Sequence, residues 1–95
     1  LNNGLKTIAD MAFWHCKNIK EIVIPATVET IGQNAFADCY ALTSLYIPKS
    51  VTTLKSGAFA GCTGLVSVQL PRALESQVAT AFANCGNNIV FAYYD

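Results

Sequence analysis

Charged residues are scarce in this sequence, and neither sign of charge predominates. Of the 95 residues 13% are charged, six of them basic and six acidic, so the formal net charge is zero. The sequence has no basic run and no acidic tail, which argues against nucleic acid or an anionic membrane surface as a partner. Because 53% of the residues are hydrophobic, we expect a folded chain, and its length predicts one domain that spans residues 1–95.

Long apolar stretches are also missing. No run of apolar residues approaches the roughly 20 that a membrane-spanning helix needs, so we expect no membrane insertion. Residues 1–4 resemble neither a signal peptide nor a methionine start. We therefore interpret the chain as a piece of a longer protein.

The common signatures of catalytic and nucleotide-binding sites are missing as well. The sequence contains no Gly-x-Ser-x-Gly elbow, no Gly-x-Gly-x-x-Gly or Gly-x-x-x-x-Gly-Lys loop, and no carboxylate pair at helical spacing. His15 is the only histidine, and the equivalent positions 38, 61 and 84 hold Asp, Gly and Asn, which is typical of an exposed turn. We predict that the chain is not an enzyme and uses no cofactor.

What the sequence does contain is a repeat with a period of 23 residues. The motif Ala-Phe-x-x-Cys begins at residues 12, 35, 58 and 81, and the unit that starts at Pro25 runs to Ile47. A constant period of this length is the sequence signature of a solenoid. Leu1 falls in the position of Ile24 and Ile47, so we interpret it as the last residue of an upstream unit.

Each unit contains a short alternating apolar run that is closed by proline. These runs cover residues 22–24, 45–47 and 68–70. Alternation with β-branched and aromatic residues predicts strands, and proline ends them because it lacks the N–H group of a sheet ladder. Strands that recur with one period and one direction form a parallel sheet. The predicted fold class is an α/β repeat solenoid of about four units, with turns or short helices opposite the sheet.

The last unit departs from this pattern. Gln77 occupies a position that is aliphatic in the other units, and three apolar residues follow helical spacing instead. These are Leu74, Val78 and Phe82. We predict a short amphipathic helix over residues 73–84 and an atypical C-terminal cap over residues 73–95, because the terminal units of solenoids must cover an open end.

In its repeat unit the chain resembles the BspA-type leucine-rich repeat, which is also called the Treponema pallidum type. That family's unit is close to Leu-Thr-Ser-Ile-x-Ile-Pro-x-Ser-Val-Thr-x-Ile-Gly-x-x-Ala-Phe-x-x-Cys. Residues 41–54 and 56–62 follow this unit, and the resemblance extends over residues 2–87. It implies a right-handed superhelix with a parallel sheet on one face. It also implies a secreted or cell-surface protein that binds host proteins or other cells.

Four cysteines and four phenylalanines recur with the same period. The cysteines lie at positions 16, 39, 62 and 85, and the phenylalanines at positions 13, 36, 59 and 82. Stacked units would hold equivalent Cβ atoms about 4.8 Å apart, whereas a disulfide needs about 3.8 Å. We predict a column of buried, reduced thiols, with disulfides 16–39 and 62–85 or a metal site as the alternatives. We predict that the phenylalanines form an internal spine.

The candidate binding residues alternate with the buried strand positions. Because side chains alternate across a strand, these residues point outward on the concave face of the sheet. They are Glu21, Val23, Ser44, Tyr46, Ser67 and Gln69. Tyr46 is the best anchor among them, since tyrosine is enriched in binding hot spots. Trp14, which replaces an alanine of the other units, is either a cap over an upstream unit or an exposed contact.

These features predict a non-enzymatic interaction or adhesion module that binds a protein or an extracellular-matrix ligand through the concave face. The alternative is a structural spacer, or an accessory domain of a larger surface protein, with little binding of its own. The family resemblance implies an extracellular or cell-surface location. We also expect end-to-end self-association through the open N-terminal edge.

Overall fold

Parallel strands that lie one repeat apart form two separate sheets in this molecule. The computed structural model describes residues 4–86 and 88–95, so the interpretation of Leu1 lies outside the described residues. The elements in chain order are β1 (Thr7–Ile8), β2 (Thr30–Ile31), β3 (Ser44–Tyr46), β4 (Thr53–Leu54), β5 (Ser67–Pro71), a 3₁₀ helix (Arg72–Gln77), α1 (Val78–Ala81) and β6 (Val90–Tyr94). One sheet has the strand order β3-β5-β6 and the other β1-β2-β4.

The β3-β5-β6 sheet has the parallel pairing and the 23-residue register that the repeat predicts. Ser44 pairs with Ser67, and Ser67 pairs with Val90. Residues 22–24, which were expected to add a strand, do not form one. A strand requires cross-strand partners, and no backbone hydrogen bond joins residues 20–24 to β3 in the described parts of the chain. The predicted strand at residues 22–24 is therefore wrong.

The β1-β2-β4 sheet lies where the sequence pattern predicts turns. Its strands are two residues long, and Ile8 pairs with Ile31, which in turn pairs with Leu54. All three aliphatic side chains are buried, whereas Thr7 and Thr53 are exposed. Two residues are too few to show the alternation that identifies a strand. The threonine and aliphatic residues nevertheless suit a half-buried pleated surface.

Backbone hydrogen bonds join the Ala-Phe-x-x-Cys turns of the first three units to the turn of the following unit. The Phe36 N–H donates to the Ala58 carbonyl at 2.7 Å, and the Asp38 N–H donates to the Ala60 carbonyl at 2.7 Å. In the first three units the turn has left-handed backbone before and after the phenylalanine, as at Asn34 (φ 56°) and Asp38 (φ 60°), whereas in the last unit only Asn84 after the phenylalanine has it (φ 62°). Asn, Asp and Gly accept this conformation more readily than other residues. The turn residues therefore fix both the shape of a unit and its contact with the next.

The four phenylalanine rings form the internal spine that their period predicts. The centroids of Phe13 and Phe36, of Phe36 and Phe59, and of Phe59 and Phe82 are each 5.1 Å apart, with nearly parallel planes. This spacing lies within the range of favourable aromatic pairs. Phe82 also meets Phe91 of β6 edge to face at 5.2 Å. The prediction of a buried spine is confirmed, and the aliphatic core surrounds it.

The last unit becomes helical close to where the spacing predicts it. A 3₁₀ helix covers Arg72–Gln77 and one α-helical turn covers Val78–Ala81, against the predicted range of 73–84. Leu74 is fully buried, and Val78 packs against the core. No helix within the described residues is long and apolar enough to cross a bilayer.

Gln77 replaces the next strand of the β1-β2-β4 sheet with its side-chain amide. The Leu54 N–H donates to Gln77 Oε1 at 2.7 Å, and Gln77 Nε2 donates to the Thr52 carbonyl at 3.1 Å. One acceptor and one donor are what a peptide group of another strand would offer to β4. This pairing explains a polar residue in a position that is aliphatic elsewhere.

Candidate functional site

The structure exposes all six residues that the sequence assigns to the concave face. Four of them lie on adjacent strands in register, because Ser44 pairs with Ser67 and Tyr46 pairs with Gln69. Between them the buried side chains of Leu45 and Val68 point into the core. Strand alternation therefore places these polar side chains and the tyrosine ring on one outer surface.

A depression of about 390 Å³ brings five of the six predicted residues together. Its lining residues are Glu21, Ile22, Ser44, Leu45, Tyr46, Ser67 and Gln69. The depression extends from β5 across β3 to Glu21 and Ile22. The stretch at residues 20–24 makes no backbone hydrogen bond to β3 in the described structure.

Val23 does not line this depression. It contributes instead to a smaller hollow of about 190 Å³, whose other lining residues are Phe13, Ile19, Glu21, Ile22 and Phe36. Val23 is 79% exposed, so its side chain lies on the outside of the first described unit. Val23 therefore shares a hollow with Glu21 but not with the other four predicted residues.

Tyr94 supports Tyr46, and the sequence patterns did not single it out. The two rings are stacked with centroids 5.6 Å apart and planes 5° from parallel, while Tyr46 remains 52% exposed. The Tyr94 hydroxyl donates to the carbonyl of Ile47 at 2.5 Å. Because Tyr94 belongs to β6 and Tyr46 to β3, its side chain reaches across β5.

The hydrogen bond of Tyr94 compensates for a missing ladder donor. In the parallel pairing the Ile47 N–H donates to the Gln69 carbonyl at 2.8 Å, so the Ile47 carbonyl would accept from the N–H of residue 71. Residue 71 is proline and has no N–H group. A proline that closes β5 thus leaves one carbonyl free for a side-chain donor, and this is the sequence signal that could have indicated Tyr94.

The Tyr94 hydroxyl keeps its proton over a wide pH range. Burial, followed by its interaction with Tyr46, raises the pKa of Tyr94 above the ordinary tyrosine value. A protonated hydroxyl is required for donation to the Ile47 carbonyl. The stacked pair should therefore be the same at neutral and at mildly alkaline pH.

The cysteine column is bonded to the backbone of the preceding unit. Three of the four free cysteines are buried, and Cys16 is half-buried. The thiols of Cys39, Cys62 and Cys85 donate to the carbonyls of Phe13, Phe36 and Phe59 at 3.4, 3.1 and 3.0 Å. In the described residues no group of three or more His, Cys, Asp or Glu side chains is arranged to hold a metal ion. The geometry of the column is that of a packing element.

The environments of Cys39 and Cys62 favour the protonated form of their thiols, whereas the interaction with Cys62 lowers the pKa of the Cys85 thiol to about 7. Burial raises the pKa of the Cys39 thiol. The pKa of Cys62 is also raised, first by its hydrogen bond to Cys85 and then by burial. Because the thiolate is the nucleophile and metal ligand, these two side chains are suited to donating hydrogen bonds and not to chemistry.

The two unusual side chains of the first unit lie away from the depression. Trp14 is 53% exposed, and its ring lies 5.8 Å from that of His15 in a tilted arrangement. His15 meets Tyr40 edge to face at 5.7 Å. His15 has the left-handed backbone of the turn (φ 62°), which agrees with the exposed turn that its position predicts.

Comparisons with known proteins identify the family. A family model described as a BspA-type leucine-rich repeat region matches residues 1–93. A leucine-rich-repeat protein of Treponema pallidum is 34% identical, with a TM-score of 0.83 over 98% of this chain and 43% of its own. A leucine-rich cell surface protein of Faecalibacterium prausnitzii is 25% identical, with a TM-score of 0.77 over 96% of this chain and 26% of its own.

A leucine-rich-repeat protein of Bacteroides ovatus has the same fold at 23% identity and a TM-score of 0.59, over 94% of this chain and 28% of its own. None of the curated proteins matches the sequence significantly. This chain thus spans less than half the length of the solved structures that it resembles. With its period, its parallel sheets and its Ala-Phe-x-x-Cys turns, the chain belongs to the family of BspA-type leucine-rich-repeat proteins.

Proposed function

We propose that the chain is a protein-interaction module of a cell-surface or secreted protein and that it binds its partner through the concave face. The observation that carries the proposal is the depression in which Glu21, Ser44, Tyr46, Ser67 and Gln69 meet. An exposed tyrosine ring with polar neighbours around it has the composition of a binding hot spot. The proposal includes adhesion to an extracellular-matrix protein as one form of partner binding.

The rigidity of the face also supports this proposal. Tyr46 is held by the stacked ring of Tyr94, whose hydroxyl is itself bonded to the Ile47 carbonyl. An anchor that is ordered before binding loses less conformational entropy on complex formation.

The cell-surface location rests on the relatives. The protein of Faecalibacterium prausnitzii is described as a cell surface protein, and solenoids of stacked repeats commonly bind partners on their concave surfaces. A protein that is secreted or held at a cell surface would meet its partners outside the cell.

Partner capture by paired variants tests the proposal. Tyr46→Ala combined with Glu21→Lys alters the depression, whereas Tyr40→Ala combined with Glu29→Lys makes the same changes at exposed residues elsewhere. Each immobilised protein is exposed to purified matrix proteins and to intact cells, and its fold is checked by circular dichroism. We expect the first variant to lose capture and the second to retain it.

A structural spacer makes a different prediction from the same experiment. If the chain only positions another domain, the unaltered protein and both variants retain equal amounts of every candidate partner. That result would contradict the proposed function. A loss of capture in the Tyr40→Ala, Glu29→Lys variant alone would place the binding surface outside the concave face.

A further inference from the structure

The charged side chain that lines the depression on the concave face is acidic. Glu21 is the charged residue among the described residues that line it. The ion pair found within residues 4–86 and 88–95 joins Arg72 to Asp95, so it leaves Glu21 without a cationic partner. Ser44, Ser67 and Gln69 add hydroxyl and amide groups that can accept hydrogen bonds. The electrostatics of the depression therefore favour a cationic group.

The ring of Tyr46 provides a second feature that suits a cation. One face of the ring is occupied by Tyr94, and half of the Tyr46 residue remains exposed at the depression. A cation over an aromatic face gains electrostatic attraction from the ring. Guanidinium groups suit this arrangement better than ammonium groups, since they stack on aromatic planes and bind carboxylates with two parallel hydrogen bonds.

The edge of β3 supplies a third feature, which concerns the backbone of a partner. The Ile47 N–H bonds to Gln69 on β5. Alternate residues of a parallel strand direct their backbone groups to opposite neighbours, so Ser44 and Tyr46 direct theirs toward the depression. The described residues 20–24 make no backbone hydrogen bond to them. An extended peptide can bind such an edge through its own backbone.

We propose that the depression binds an extended peptide segment of a protein partner and takes an arginine side chain of that segment between Glu21 and Tyr46. This inference rests on the proposed function and specifies its partner chemistry. The guanidinium group pairs with the Glu21 carboxylate and stacks on Tyr46. The backbone of the segment bonds to the backbone groups of Ser44 and Tyr46 that do not pair with β5.

Peptide titration followed by NMR tests this assignment on the whole 95-residue chain. The probes are acetyl-Ser-Val-Arg-Val-Ser-amide and the same peptide with citrulline, the neutral isostere, in place of arginine. We expect the arginine peptide to shift the amide signals of Tyr46, Ser67 and Gln69. Because Glu21 is exposed and exposed ion pairs contribute little, loss of the charge should weaken the binding of the citrulline peptide by about two- to fivefold.

Matched variants separate the role of Glu21 from a general effect of charge. Glu21→Gln should abolish the preference for arginine over citrulline, whereas Glu29→Gln, outside the depression, should preserve it. Equal affinity for the two peptides would overturn the inference, and so would shifts confined to other surfaces. Methyl glucoside is titrated as well, because shifts of the same signals by this neutral sugar would assign the depression to carbohydrate.

The failure of this inference can be distinguished from the failure of the proposed function. If the Tyr46→Ala, Glu21→Lys variant loses its partner while Glu21→Gln captures it normally, the concave face binds but arginine recognition is wrong. If capture survives both changes while the arginine peptide still shifts Tyr46, the depression binds arginine but the proposed function is wrong.

Discussion

Cys39 shows, at the scale of a single residue, why cysteine suits the same position in each unit. Its side chain is fully buried, and its thiol donates to the carbonyl of Phe13 at 3.4 Å. A small apolar side chain with a weak donor satisfies both the packing and that carbonyl. The same reasoning applies to Cys62 and Cys85, whose thiols bond to Phe36 and Phe59.

Cys39→Asp should destabilise the fold severely. The aspartate would bury a charge without a partner and would place acceptor oxygens against the Phe13 carbonyl, at a cost of about 3–5 kcal/mol. Cys39→Ala is the control and should cost about 1–2 kcal/mol, since it removes the buried sulfur atom and its weak hydrogen bond but adds no charge. Urea unfolding measured by circular dichroism compares the two variants. Equal stability of the aspartate and alanine variants would show that this position is not buried in solution.

The raised pKa values of the buried thiols predict how stability depends on pH. Burial raises the pKa of Cys39, and a hydrogen bond to Cys85 together with burial raises that of Cys62. In the unfolded chain both thiols lose their protons near the ordinary value of about 8.5. Their contribution to stability is therefore complete below about pH 8 and is lost as the pH rises above about 8.5.

Unfolding midpoints in urea between about pH 7 and pH 10 measure this dependence, with a phosphine reductant present to keep the thiols reduced. The unaltered chain should lose stability over the upper half of that range. A variant with Cys39→Ala and Cys62→Ala should lose less, because it has fewer thiols that are protonated only in the folded state. The lowered pKa of Cys85 adds stability with rising pH only up to about pH 8.5. A stability that rises with pH above about pH 8.5 would therefore contradict the raised pKa values of Cys39 and Cys62.

At the scale of a secondary-structure element, one side chain completes the hydrogen bonding at the β4 edge of the β1-β2-β4 sheet. Gln77 accepts a hydrogen bond from the Leu54 N–H and donates one to the Thr52 carbonyl. We infer that residues 73–95 form a cap of the array, and this pairing supports the inference because it occupies edge groups of β4 that could otherwise pair with another strand.

Gln77→Ala should lower the free energy of unfolding by about 1–3 kcal/mol, because it leaves the half-buried Leu54 N–H without its partner. Gln33→Ala is the matched control, since Gln33 is exposed, and surface substitutions of this kind usually change stability by less than about 0.5 kcal/mol. Thermal or urea unfolding measures both. Equal effects of the two substitutions would mean that the Gln77 amide is not part of the sheet in solution.

The period of the sequence predicts those parts of the fold in which equivalent residues of successive units contact each other. Phe36 stacks on Phe13 and on Phe59, and the register of β3 with β5 is one repeat. The β1-β2-β4 sheet could not be predicted, because strands such as Thr30–Ile31 are too short to leave an alternating pattern.

The sequence also predicts part of the candidate site, because the site lies on strands whose side chains alternate. Strand alternation places Ser44, Tyr46, Ser67 and Gln69 on one surface, and the depression adds Glu21. Tyr94 was missed because its hydroxyl bonds to a carbonyl 47 residues away, a contact that no single repeat encodes. The absence of a strand at residues 22–24 also depends on a neighbouring unit and not on the local sequence.

The whole molecule should unfold as one cooperative unit, because each repeat buries its core only against its neighbours. Phe59 is fully buried between Phe36 and Phe82, so Phe59→Ala should cost about 3–5 kcal/mol. Phe13 is only partly buried and stacks on Phe36, so Phe13→Ala should cost less.

Two probes at different places test this cooperativity. The fluorescence of Trp14, the only tryptophan, reports on the first described unit, whereas far-ultraviolet circular dichroism reports on both sheets. In a cooperative molecule Phe59→Ala shifts the two urea transitions together, although Phe59 is distant in sequence from Trp14. If the Trp14 transition stayed in place while the dichroism transition moved, the first unit would be stable without the rest, and the dependence of each unit on its neighbours would be wrong.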